Sequence, residues 1–154
     1  MAAHAASVIK MLKEIAAKEV DLAAEALAQA LKIADEAQNK HCVLIEYQQD
    51  YIKNLSKLME TGVGKEAYRN FKNFFSKLDQ AVIGQLEVVE FTKQQVIVQR
   101  QLWQESQRKK LSYEVLSKRS DKRELKIEQK MDQKMMDEFA MRASITQQSN
   151  RLIK

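Results

Sequence analysis

The stretch TGVG, residues 61–64, is the one place where this sequence interrupts itself, and the fold turns on it. Gly62 can take the left-handed conformation that closes a helix, and Gly64 relaxes the turn that follows. Elsewhere helix breakers are nearly gone. The 154 residues hold no proline and three glycines, where average usage gives roughly eight and eleven. The third glycine, Gly84, costs about 1 kcal/mol relative to alanine inside a helix and marks a bend or a close contact.

On both sides of the turn apolar residues recur in alternating steps of three and four. Before it the row is Ile9, Leu12, Ala16, Glu19, Ala23, Ala26, Ala30, Ile33, Ala37, Lys40, Leu44, Tyr47, Tyr51, Asn54 and Leu58, twelve of fifteen apolar. After it the row is Tyr68, Phe71, Phe75, Leu78, Val82, Gln85, Val89, Thr92, Val96, Gln99 and Trp103. A 3.5-residue repeat winds one helix around another, and the alanines from 16 to 37 admit a close neighbour. The expected fold is all-α: a long antiparallel two-helix coiled-coil hairpin with its turn near residues 61–64. It takes residues 1–154 as one domain, with helix one over about 5–60 and helix two over about 65–148. Beyond Trp103 the expectation is a register shift onto a looser strip, Leu111, Val115, Leu125, Met136, Phe139 and Ala143.

The two helices are unequal, about 80 Å and up to about 130 Å at 1.5 Å per residue. Residues after about 120 should therefore project past the N-terminus without a partner in their own chain. Four of the seven methionines lie there, in MDQKMMDEFAMR at 131–142. Met131, Met135 and Phe139 share one helical face, widened by Met136 and Ala143 and interrupted by Asp132, while Asp137 and Met141 point elsewhere. On an ordinary helix such a strip is core. Here the length mismatch leaves nothing to cover it, and methionine's flexible, polarizable chain suits a surface that adapts to a partner. A soft-metal site is disfavoured, since no histidine or cysteine lies nearby.

The net charge of +5 is unevenly held: residues 1–60 carry seven basic and nine acidic groups, the remainder nineteen and twelve. If the halves lie side by side much of the positive charge cancels, which weakens a nucleic-acid reading. Residues 104–130 hold nine basic and five acidic groups. Alternating signs of this kind read first as a solvated face with i, i+4 pairs, then as contact with an acidic protein surface, and no aromatic stacking surface accompanies them. Nucleic-acid or acidic-surface binding through the 108–130 face is the alternative function. A coiled coil that self-associates through its overhang is a third.

Chemistry finds no foothold. There is no glycine-rich phosphate loop, no paired-cysteine pattern, and no nucleophile set beside a base, so no catalytic residue, cofactor or metal is expected and the chain is not read as an enzyme. His41 and Cys42 point about 100° apart on a helix and cannot share a metal. The lone Cys42 fits a reducing compartment as a small apolar residue. No apolar run nears about eighteen residues and MAAHAASVIKMLKEI lacks a secretory pattern, so the expected location is cytoplasmic. Tyr47 and Tyr51, in LIEYQQDY, share a face with Leu44; across the turn stand Phe74, Leu78 and Ala81. An aromatic and aliphatic patch near the closed end competes here with ordinary seam packing.

The order and spacing of LKEIAAKEV at 12–20, LIEYQQDYIKNL at 44–55 and MDQKMMDEFAMRA at 131–143 resemble the FliJ family, a soluble coiled-coil component of the flagellar type III export apparatus. The resemblance covers most of the chain, although residues 93–130 and the tail SITQQSNRLIK carry none of it. It implies a non-enzymatic stalk similar to the central shaft of rotary ATPases, whose open end enters the pore of the hexameric export ATPase. It implies further contact with the cytoplasmic domain of the membrane export gate and with export chaperones. A peripheral position at the inner face of the cell membrane, reached through partners, and a part in flagellum biogenesis, motility and chemotaxis follow from it. By position it assigns gate contact to Leu44, Tyr47, Tyr51, Phe74, Leu78, Ala81 and Gln85, the last equally a seam position. It assigns ATPase contact to Ile15, Lys18, Glu19 and Leu22 and to Met131, Met135, Met136, Phe139 and Arg142.

Overall fold

The computed structural model describes residues 2–153, apart from the side chain of Ala2. Two helices, α1 (Ala2–Thr61) and α2 (Lys65–Leu152), pack against each other as an antiparallel hairpin. The turn forms as its glycines dictate. Gly62 takes a φ of +90°, the Thr61 hydroxyl donates to the Leu58 carbonyl at 3.0 Å, and the Tyr68 amide donates to the Gly64 carbonyl at 3.0 Å as α2 begins. No described helix is long and apolar enough to cross a membrane.

The chain divides into two compact bodies, residues 19–106 and residues 1–18 with 107–154. In the first, α2 buries the expected row: Leu78, Val89, Thr92 and Val96 are buried, and Phe71, Phe75, Val82, Gln85, Gln99 and Trp103 half-buried. Tyr68, expected in this row, is exposed. Near the turn Tyr51 stacks on Phe71 with ring centroids 4.0 Å apart and meets Phe74 at 4.8 Å in a tilted arrangement.

On α1 one of the two expected rows is displaced by a residue. Ala23, Ala30, Ala37, Leu44 and Tyr51 face the partner as expected, but their companions are Val20, Leu27, Ala34, His41, Gln48 and Leu55. The positions one residue earlier, Ala26, Ile33, Lys40, Tyr47 and Asn54, are exposed, as is Leu58, whereas Glu19 is half-buried. Burial favours the larger apolar side chain of each adjacent pair where they differ most: Val20 over Glu19, Leu27 over Ala26, Leu55 over Asn54. The polar members of the seam find partners. Gln85 Nε2 donates to the Ala37 carbonyl at 2.9 Å, Gln48 Nε2 to Asp79 Oδ1 at 3.3 Å, and the buried Thr92 hydroxyl to the Val89 carbonyl at 2.9 Å.

In the second body the expected register shift does not occur. The half-buried positions of α2 include Lys110, Tyr113, Ser117, Ser120 and Glu124, which keep the same alternating steps, with Glu114 beside Tyr113, while Leu111, Val115 and Leu125 are exposed. A shift requires an inserted three- or four-residue stutter, and this row has none. Opposite them α1 supplies Ala6, Ile9, Leu12 and Ala16, of which Ala16 is fully buried. From residue 125 to 153 every position is exposed.

Val89 is 1% exposed, so Val89→Ala should lower the unfolding free energy by roughly 1–2 kcal/mol in urea titration, whereas Val88→Ala, on the outer surface, should change it by less than about 0.5 kcal/mol. Gly62→Ala places a β-carbon in the left-handed region and should cost about 1 kcal/mol by the same measurement.

Candidate functional site

Among the described residues no three His, Cys, Asp or Glu side chains gather as metal ligands. Among the described residues the hollows that bear on function are open grooves between or beside the helices, and the candidate sites are faces that a macromolecule could cover.

The residues proposed for the gate all lie in the body 19–106, but they are not equally presented. Leu78 is buried; Leu44, Tyr51 and Gln85 are half-buried and built into the seam, Tyr51 by its stacking and Gln85 by its bond to Ala37. Tyr47, Phe74 and Ala81 are the exposed members. Their side of the hairpin is fixed by a groove of about 360 Å³ between the helices, lined on α1 by Ala26, Ala30 and Ile33 and on α2 by Phe91, Gln95 and Gln99. Tyr47 follows Ile33 by two heptads, and Phe74 and Ala81 precede Gln95 by three and two, so all three project on the groove side. Phe91, 64% exposed, continues the apolar surface beyond the patch that the sequence pointed to. Gly84, one heptad before Phe91, has open space where a β-carbon would stand. The close contact expected at Gly84 is thus not made within this chain.

Of the residues proposed for the ATPase, Ile15 and Lys18 lie in the body 1–18 with 107–154, and both are exposed. Glu19 and Leu22 belong to the body 19–106, Glu19 half-buried and Leu22 exposed. Met131, Met135, Met136, Phe139 and Arg142 are all exposed, Phe139 to 76%. Met135, Met136, Phe139 and Asp132 line an open hollow of about 520 Å³ on α2. Asp137 takes a hydrogen bond from Gln133 Nε2 at 3.1 Å, one turn earlier.

The charges of residues 107–130 do not alternate around α2 as their order in the chain suggested. Glu114, Asp121, Glu124 and Glu128 lie on the half of the helix that faces α1, together with Lys109 and Lys110; Arg108, Lys118, Arg119, Lys122, Arg123, Lys126 and Lys130 lie on the other half, all exposed. Cancellation of charge between the halves also fails in this body. Residues 1–18 carry three lysines and one glutamate, and residues 1–18 with 107–154 carry 16 basic and 8 acidic groups, net +8, against 10 and 13, net −3, for residues 19–106.

A family model described as Flagellar FliJ protein matches residues 7–149. The Flagellar FliJ protein of Salmonella typhi is 34% identical over 146 residues, covering 94% of this chain and 97% of that protein. Its counterpart from Escherichia coli strain K12 is 31% identical over 145 residues, with the same two coverages of 94% and 97%. Similarity of this extent supports a part in flagellum biogenesis and flagellar export that involves no catalysis. The chain belongs to the flagellar FliJ family.

Proposed function

We propose that the chain is a non-enzymatic stalk or adaptor of flagellar protein export that binds the hexameric export ATPase and the cytoplasmic domain of the membrane export gate, and assists delivery of chaperoned substrates. The observation that carries this reading is the uncovered run from residue 125 to 153, whose apolar side chains have nothing in their own chain to bury them. Five or more large apolar groups held in water on one helix favour association, since each stabilises by roughly 1.5–3 kcal/mol when fully covered. In this reading Met131, Met135, Met136, Phe139 and Arg142 contact the ATPase, together with Ile15, Lys18, Glu19 and Leu22 on α1. Tyr47, Phe74 and Ala81 contact the gate, and Leu44, Tyr51, Leu78 and Gln85 hold them in place from the seam. In this reading contact with the membrane export gate brings the chain to the inner face of the membrane.

Met136→Ala with Phe139→Ala should weaken binding to the purified export ATPase by about tenfold or more, with helicity by circular dichroism unchanged; equal affinity would remove the ATPase assignment. Tyr47→Ala with Ala81→Glu should reduce capture by the gate's cytoplasmic domain and spare the ATPase. Loss of both interactions together would show that the two surfaces are not separate.

A further inference from the structure

The basic half of α2 between residues 108 and 130 is more than a solvated face, because aliphatic side chains run through it. Arg108, Leu111, Val115, Lys118, Lys122 and Leu125 follow one another in alternating steps of three and four, the spacing of a second coiled-coil row that α1 does not cover. Leu111, Val115 and Leu125 are exposed, and Leu111, Val115, Leu116 and Arg119 border an open hollow of about 450 Å³. Along one flank of the row stand Arg119, Arg123, Lys126 and Lys130. Glu114, Asp121 and Glu128 lie on the other flank, toward α1, where Glu114 and Lys110 share a groove with Lys10, Lys13 and Glu14.

We propose that this outward face of α2, from Arg108 to Lys130, docks an amphipathic α-helix of a partner protein whose flank is acidic. The spacing selects the shape, since knobs repeating every 3.5 residues fit the holes of another helix. The charge selects the sign: an acidic flank placed against Arg119, Arg123, Lys126 and Lys130 gains attraction and excludes basic competitors. A second copy of this chain brings the same cations to the interface, against the net +8 of this body. A nucleic acid engages the cations but leaves Leu111, Val115 and Leu125 in water, and Tyr113, the aromatic residue of this stretch, is half-buried on the α1 side rather than offered for stacking. The surface is distinct from Met131–Arg142, and the inference does not depend on that end holding an ATPase.

The test titrates the full chain against a labelled synthetic heptad peptide of about 28 residues, leucine in its seam and glutamate on its flanks. Affinity should fall steeply with added salt. The variant R119E/R123E/K126E should lose at least about tenfold and instead bind the lysine-flanked version of the peptide. L111S/L125S should lose a similar factor while its salt dependence remains, and circular dichroism should show all variants as helical as the parent. The proposal is overturned by absence of binding, or by equal binding of a scrambled peptide of the same composition, which would reveal mere attraction to polyanions. Tighter binding of duplex DNA, or a sedimentation mass that rises with concentration and reverts in L111S/L125S, would likewise overturn it by assigning the face to nucleic acid or to a second copy.

Discussion

Ala23, Ala30 and Ala37 recur every seven residues on α1, and their small side chains let α2 approach closely enough for the Gln85 amide to span to the Ala37 carbonyl at 2.9 Å. The close approach concentrates burial on few residues. Val20, Leu78, Val89 and Val96 are the larger apolar side chains taken out of water, with Ala16 and Ala37 the small ones. A pair of helices has no interior beyond its seam, so a large apolar residue on an outer face, such as Phe91, stays in water.

The polar seam residues set alignment. Gln48 and Gln85 each make a bond to the opposite helix, and Thr92 satisfies its buried hydroxyl on its own helix. Sliding one helix by a heptad would return alanine to alanine positions and cost little in apolar burial, but it would break both interhelical bonds. Polar groups inside a coiled-coil seam commonly fix register at some expense of stability. Tyr51 stacked on Phe71 adds a third constraint beside the turn.

How far the sequence could be read depended on how unevenly bulk was distributed. On α2 the row from Phe71 to Trp103 was legible because large side chains occupy one register only. On α1 two adjacent registers each mix apolar and polar residues, and pair by pair bulk points both ways: Val20, Leu27 and Leu55 face α2 in preference to Glu19, Ala26 and Asn54, whereas Ile33 and Tyr47 stay outside while Ala34 and Gln48 turn inward. Past Trp103 hydrophobicity misled outright, because the positions facing α1 are two serines, a lysine, a tyrosine and a glutamate while the leucines point away. The candidate sites came from residue patterns shared with a family, and those patterns say nothing of exposure: Tyr47 and Leu78 stood side by side in the expectation, and one is at the surface while the other is buried. Segregation of charge around α2 was hidden by reading the signs in chain order instead of around the helix.

The stretch from residue 125 to 153 contributes no buried side chain to its own fold. Substitutions there leave folding nearly untouched, since surface changes away from packed features are usually within about ±0.5 kcal/mol. Such a segment can drift with whatever it touches: its residues are filtered by recognition alone, whereas each change at Val89 or Ala37 is filtered first by the ability to fold. Related chains that keep the same partner can therefore keep a pattern such as MDQKMMDEFAMRA here without any demand from folding, and a lineage that exchanges partners can rewrite it without rebuilding the scaffold.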